Sequence, residues 1–390
     1  MMRIAMVGTR GVPARYGGFE TCVEEVGRRL VERGHDVRVY CRGEQDAGPS
    51  FLGMNLVHLP ALRRKSLETL SHTALSAGHL VVHRTDVALV FNAANAPFLP
   101  MLRARRIPFA THVDGLEWQR AKWGGNGRRY YRSAESLAVR WSDALIADAQ
   151  GIADYYTAEF GAETELIAYG APVLTDTGSG RLAELGLTER GYHLVVARFE
   201  PENHVAEIVA GYAASTATAP LVVVGSAPYA DAYTAEIEAS ADDRVRLLGG
   251  VWDQGLLDEL YANCLTYLHG HSVGGTNPSL LRAIGAGAAT IAWDVSFNRE
   301  VLGDSGDYFG DPSTAARAIE AAELDRAATA RRGQAAQRRA ALYDWDDVAV
   351  RYEKLCQRLA DGHSVRSQAT GRRQTPSDGS TVPSSEKAHR

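Results

Sequence analysis

The segment His269-Gly-His-Ser-Val-Gly-Gly-Thr-Asn277-Pro-Ser-Leu-Leu-Arg282-Ala-Ile-Gly-Ala-Gly287 holds the densest chemistry in this 390-residue chain. Cys264 to Leu268 reads as a buried strand. The loop leaving it carries adjacent glycines, Gly274 and Gly275, which permit a positive φ and a close approach of backbone to a ligand. Thr276 and Asn277 suit a helix cap, and Pro278 suits the first turn, where a missing N–H is no loss. Free amides and the positive end of the helix dipole then face the loop and favour an anion. A plain strand-to-helix turn is written the same way, so the rest of the chain has to decide.

Three other stretches place polar groups at the ends of apolar runs. In Gly8-Thr-Arg10-Gly11-Val-Pro-Ala-Arg-Tyr16-Gly17-Gly18-Phe19-Glu20-Thr21 a glycine loop feeds a helix start, which suits an anionic or polyhydroxy ligand. Its spacing is not GxGxxG, and the second strand ends at Tyr40-Cys-Arg42 without an acid for a ribose, which disfavours NAD. Thr111-His112-Val-Asp114-Gly-Leu-Glu117-Trp118-Gln-Arg120-Ala-Lys122-Trp123 mixes charges with two tryptophans, as a sugar site would. Ala197-Arg198-Phe-Glu200-Pro-Glu202-Asn203-His204 sets a guanidinium at the end of a third run. Asp344-Trp-Asp346 spells the acid pair of metal-dependent sugar transferases, yet it falls at a helix start and reads as a cap. With no acids or cysteines beside His269 and His271, no metal is expected.

The elements that must position these residues alternate in type. Candidate strands are Arg3 to Val7, Asp36 to Cys41, Asn55 to Leu59, Asp86 to Phe91, Phe109 to His112, Ala144 to Ala147 and Thr164 to Ala168. Helical patterns lie between them at Phe19 to Arg33, Leu67 to Val81 and Arg128 to Trp141. After a Gly, Thr and Ser loop the pattern restarts at His193 to Ala197, Leu221 to Val224, Val245 to Leu248, Cys264 to Leu268 and Ala289 to Trp293. Strands alternating with helices imply α/β domains with doubly wound parallel sheets, and such sheets bind ligands at the carboxyl ends of their strands. The expected divisions are a first domain over 1–171, a second over 172–345, a returning helix over 346–362 and a disordered tail over 363–390.

Composition narrows the classes further. No apolar run reaches the length of a membrane span, and the N-terminus lacks the pattern of a signal peptide. Cys22, Cys41, Cys264 and Cys356 are scattered, which fits neither a zinc site nor a disulfide framework and suits a reducing cytoplasm. Residues 1–171 hold 21 basic against 18 acidic side chains, and residues 172–362 hold 16 against 27. Basic clusters at Arg63-Arg64-Lys65, Arg103-Ala-Arg105-Arg106 and Lys122 to Arg132 could meet an anionic acceptor or the inner face of a membrane, or could be solvated surface. Interleaved acids and the lack of a nucleic-acid motif argue against DNA or RNA.

Together the four stretches resemble the GT-B glycosyltransferases of the retaining family 4 type, and more narrowly its rhamnosyltransferase-like subgroup of bacterial polysaccharide enzymes. The resemblance spans about residues 2 to 360. It implies two Rossmann-like domains facing across a cleft, with a C-terminal helix crossing back, and a hexose moved from a nucleotide diphosphate sugar to a saccharide, lipid-linked or small-molecule acceptor. L-rhamnose from dTDP-rhamnose is the favoured donor. The resemblance implies that Gly17 and Gly18 admit donor or acceptor and that Glu20 orients hydroxyls. It gives an acceptor-side role to Asp114 first and His112 second, and acceptor contacts to Arg10, Tyr16, Glu117, Trp118 and Lys122. Donor contacts fall on Arg198, Gly249, Gly274, Gly275, Thr276 and Asn277.

Two departures stand out. The family commonly follows its Arg with a Lys five positions on, where this chain has Asn203, and the family's two glutamates fall on Gly274 and Arg282. Either Arg282 supplies the cation missing at Asn203, or the nucleotide carries deoxyribose and needs no ribose acid. The rival readings are a nucleotide-sugar-binding protein with impaired catalysis, a GT-B epimerase and, least in accord with the motifs, an NAD(P)-dependent oxidoreductase.

Overall fold

Parallel strands covered on both faces must be apolar throughout, and Val87–Phe91 and Leu221–Val224 are buried at every position. The computed structural model describes residues 1–14, 17–43, 48–62, 67–113, 115–175, 177–226, 231–364 and 369–374. In the first domain the strands are β1 (Arg3–Val7), β2 (Asp36–Arg42), β3 (Ser50–Phe51), β4 (Met54–Leu59), β5 (Val87–Phe91), β6 (Phe109–His112), β7 (Ala144–Ala147) and β8 (Glu165–Leu166). They form one sheet in the order β3-β4-β2-β1-β5-β6-β7-β8, parallel except for β3 against β4. The second domain has β9 (His193–Val196), β10 (Leu221–Val224), β11 (Val245–Gly249), β12 (Thr266–His269), β13 (Thr290–Trp293) and β14 (Asp307–Phe309), in the order β11-β10-β9-β12-β13-β14.

This order fixes where ligands go. The chain winds outward from β1 through β2 and β4, then returns to lay β5 on the other side of β1; β9 is likewise flanked by β10 and β12. At each reversal the loops leaving neighbouring strands turn to opposite faces and open a crevice. The glycine loop after β1 stands at one reversal, and the loops after β9 and β12 stand at the other.

The connection between the domains passes Ala171, and the chain returns at Tyr343, whose carbonyl accepts from the Ala171 amide at 2.6 Å. Helix Trp345–Ala360 then packs on helix Gly18–Glu32 of the first domain. Its start is capped by Asp344, which accepts from the amides of Asp346 and Asp347, and Arg29 reaches Asp346 at 2.5 Å. The acid pair there is thus structural.

Some expectations need correction. Cys264 ends helix Gln254–Asn263 instead of opening a strand, so β12 runs to His269. β8 is shorter than Thr164 to Ala168, and the two- and three-residue β3 and β14 were too short to leave a period in the sequence. The tail expected to be disordered is docked over residues 369–374. Arg373 donates to the buried Glu135 at 2.8 Å and to Tyr155 at 3.2 Å, pairs with Glu159 at 2.5 Å and lies 4.7 Å over the Phe160 ring.

Burial pushes the Glu135 carboxyl up, and Arg373 and Tyr155 hold it down. Arg373→Ala should therefore destabilise the protein by about 3 kcal/mol, because the remaining charge is buried without its cation. A carboxyl raised further in the folded state is increasingly unfavourable as pH climbs past its unfolded value, so the deficit should grow from pH 5 to pH 8. Urea midpoints at the two pH values test this, and an equal deficit at both would count against it.

Candidate active site

A cavity of about 990 Å³ lies between the carboxyl ends of the two sheets, and both reversals open into it. Gly17 and Gly18 line it from the first domain, Arg198, Asn277, Pro278 and Arg282 from the second. Gly17 caps helix Gly18–Glu32 with φ of 114°, a conformation that L side chains rarely adopt. Gly18 lies close to the opposite helix: a Cβ there would be 3.2 Å from Pro278 Cγ. The two helix starts thus face each other across the cleft, each with its dipole's positive end toward it.

The loop after β1 is closed by Glu20, whose carboxylate accepts from the Arg10 amide at 3.0 Å. That contact gives Glu20 a loop-holding task, and its side chain does not line the cavity. Arg10 is exposed and does not line the cavity, and Tyr16 lies outside the described residues.

Arg198, at the end of β9, has a side chain 39% exposed in the cavity wall, with one guanidinium nitrogen 3.5 Å from Glu200. Asn203 lines the wall too, but both ends of its amide are engaged. Its nitrogen donates to the Arg198 carbonyl at 2.8 Å, and its oxygen faces His271 Nδ1 at 2.8 Å. It ties the loops after β9 and β12 together, which a lysine could not do.

The opening glycine segment divides in two. Asn277 accepts from the Ser279 amide at 2.9 Å, caps helix Pro278–Gly285 and lines the cavity. Gly274, Gly275 and Thr276 do not line it. A Cβ on Gly275 would collide with the Asp148 carboxylate, one on Gly115 would collide with the Gly274 backbone, and Thr276 Oγ1 donates to the Asp148 carbonyl at 2.5 Å. The absent side chain at Gly275 makes room for the first domain, and the one at Gly274 leaves space beside His271. Arg282 lines the cavity while paired with Asp258, and Gly249 stands just behind Gly250, Val251 and Trp252, which form the wall.

On the first-domain side, His112 is sealed among Phe19, Phe91 and Tyr169, and burial drops its pKa to about 3. Neither of its ring nitrogens has a hydrogen-bond partner among the described residues, and it is set back from the cavity wall. Asp114 lies outside the described residues. The Trp118 ring is covered by Arg132 at 4.9 Å. Glu117 is paired with Arg120 at 2.5 Å and with Lys122 at 2.9 Å, so neither Glu117 nor Lys122 is presented to the cavity.

Arg120 was not singled out from the sequence, yet it bridges the domains: it reaches Glu202 at 3.2 Å and Glu200 at 3.7 Å. Its partners lie eighty residues away, and only the alternation of charges in both stretches hinted at complementarity. The Arg103 to Arg106 cluster precedes β6, at the amino ends of the strands and away from the cleft, with Arg103 paired to Asp143 at 3.1 Å. Arg63, Arg64 and Lys65 lie outside the described residues. Among the described residues no three His, Cys, Asp or Glu side chains gather as metal ligands, and no helix is long and apolar enough to cross a membrane.

Residues 17–170 match the family described as glycosyl transferase 4-like domain, and residues 182–339 match glycosyl transferases group 1. No curated protein sequence matches the chain. Among solved structures, sucrose-phosphate synthase from Thermosynechococcus elongatus superposes with a TM-score of 0.79 at 19% identity, over 92% of this chain and 99% of that one. HepE of Anabaena, in complex with UDP-glucose, gives 0.75 at 18%, over 92% and 100%. A glycosyltransferase from Rickettsia africae gives 0.68 at 12%, over 93% and 99%. With a family match on each domain and both sheets meeting at one cleft, the chain belongs to the GT-B glycosyltransferases.

Proposed function

We propose that the enzyme transfers a hexose, with retention of anomeric configuration, from a nucleotide diphosphate sugar to an acceptor hydroxyl, and that the donor is dTDP-L-rhamnose. The observation that carries this reading is the single cavity shared by the two strand reversals, with Arg198 and the start of helix Pro278–Gly285 on its second-domain wall. A guanidinium and a helix N-terminus favour a diphosphate there. HepE, of similar fold, has been solved with UDP-glucose. The acceptor would enter beside Thr21, Glu24 and Glu25. In this arrangement the departing diphosphate, neutralised by Arg198, takes the proton of the incoming hydroxyl on the same face, with no metal or cofactor required. A saccharide on a lipid carrier, met at the cytoplasmic face of a membrane, is the favoured acceptor.

A thermal-shift screen over nucleoside diphosphates and their sugars tests the donor by mass action. Stabilisation by dTDP-rhamnose above all others is expected, and a preference for UDP-glucose would reassign the sugar. The wall formed by Gly250 to Trp252 at the end of β11 offers a stacking surface for the base, since Trp252 is 72% exposed. Trp252→Ala should weaken nucleoside diphosphate binding about tenfold, in keeping with base–aromatic stacking. Unchanged affinity in a titration would remove the base from that wall.

A second reading, a nucleotide-sugar-binding protein with impaired catalysis, is favoured by one specific observation. Arg282, where the family has a glutamate, is paired with Asp258. Nucleotide release on adding acceptor separates the two, since a binding protein releases none.

A further inference from the structure

Two imidazoles at the end of β12, His269 and His271, have no role in the reading above. Both are buried and both line the cavity. The Tyr267 hydroxyl lies 3.3 Å from the Val196 carbonyl, which can only accept, and 3.1 Å from His269 Nδ1; we assign its proton to the carbonyl and the Nδ1 proton to His269. That leaves His269 Nε2 as a bare lone pair, buried and without a hydrogen-bond partner among the described residues. The Asn203 amide nitrogen donates to the Arg198 carbonyl, which makes the Asn203 oxygen the acceptor for His271 Nδ1–H at 2.8 Å. His271 Nε2 is therefore a lone pair as well.

Burial keeps both rings neutral, dropping His269 to about 3 and holding His271 well below the usual range, where the neighbouring Arg120 adds to the effect. A neutral ring with its proton on Nδ1 can only accept at Nε2. Phosphate oxygens also only accept, so a diphosphate does not satisfy these atoms. The cavity needs an O–H or N–H donor here, beside the Arg198 wall.

We propose that His269 and His271 are specificity-determining residues whose Nε2 atoms accept hydrogen bonds from hydroxyls of the donor's sugar. This rests on the nucleotide-sugar reading of the same cavity. The pair would then favour a sugar whose hydroxyls point toward β12 and would reject an analogue lacking them, because a buried acceptor would be left unpaired.

The test is calorimetric titration of the full chain with UDP, dTDP, UDP-glucose and dTDP-rhamnose. The quantity read is the gain in affinity that the sugar adds to its own nucleoside diphosphate. His269→Phe should reduce that gain about 5- to 10-fold, the worth of one lost buried hydrogen bond, with diphosphate affinity held within twofold. His269→Gln, which returns an acceptor near the Nε2 position, should restore most of it. An equal loss for diphosphate and sugar, or no loss for either, overturns the proposal.

Should the phenylalanine variant fail to fold, ¹⁵N spectra of the wild-type histidines decide. The unprotonated Nε2 resonances should move with the sugar-bearing ligand and stay in place with the diphosphate. Protonated Nε2 atoms, or equal movement with both ligands, would overturn it. A wild-type chain that binds no nucleoside diphosphate at all refutes the donor-site reading itself, an outcome distinct from loss of the sugar's share alone.

Discussion

Replacing Arg120 with methionine should destabilise the folded protein by about 3–5 kcal/mol, the range found when one partner of a buried ion pair is removed. The Arg120 side chain is 10% exposed, and it faces Glu117 and Glu202, which are 9% and 4% exposed. Glu117 keeps Lys122 in the variant, whereas Glu202 loses its paired cation. Methionine preserves most of the volume, so the loss reports the charge.

The pH dependence has a definite sign. Burial pushes the Glu200 carboxyl up, but Arg198, Lys122 and Arg120 outweigh it and hold Glu200 below the ordinary range. A carboxyl so depressed contributes stability above its unfolded value of about 4.3 and loses it as pH falls through the folded value. The variant has less of this to lose, so the gap from wild type should narrow in acid. Urea midpoints at pH 7 and pH 4 measure it; a wild-type midpoint at pH 7, or a gap that widens in acid, would sink the argument.

Arg198→Gln should lower the rate of transfer by about 10²–10³-fold, the typical consequence of removing one electrostatic stabiliser of a developing charge. Stability should change far less than in the Arg120 variant, because this guanidinium is 39% exposed in the cavity wall and its ion pair to Glu200 is a long 3.5 Å. The combination of a large kinetic and a small thermal effect is what distinguishes a ligand cation from a structural one. Nucleotide release measured alongside thermal midpoints gives both quantities. Full activity in the variant would move the diphosphate off the end of β9.

The architecture was legible because its signals are local. β5 and β10 read as unbroken apolar runs since each is covered on both faces, and helix Gly18–Glu32 shows Val23, Val26 and Leu30 at helical spacing and buried. The site was legible only in outline. A glycine announces that something comes close without saying what, and at Gly275 the neighbour is Asp148 of the other domain. Asn203 was readable as a missing cation, but its tie to His271 depends on a loop 68 residues further on. Arg120 with Glu202 and Arg373 with Glu135 are likewise pairs made by folding, separated by 82 and 238 residues. No period or spacing in one sequence encodes them.

The chain crosses between its halves twice, at Ala171 and at Tyr343, and the two crossings lie side by side, joined by a 2.6 Å hydrogen bond. Two adjacent tethers act as a book's spine, a line about which the covers can swing. Turning about that line parts Thr276 from Asp148 and Arg120 from Glu202, while Gln150 and Glu300 sit next to the spine, where the Tyr343 hydroxyl reaches the Glu300 carbonyl at 3.4 Å. A pivot of this kind gives the cleft one coordinate for admitting donor and discharging product. The Arg120 clasp, buried while the cleft is shut, is the charged contact that this movement must expose to water.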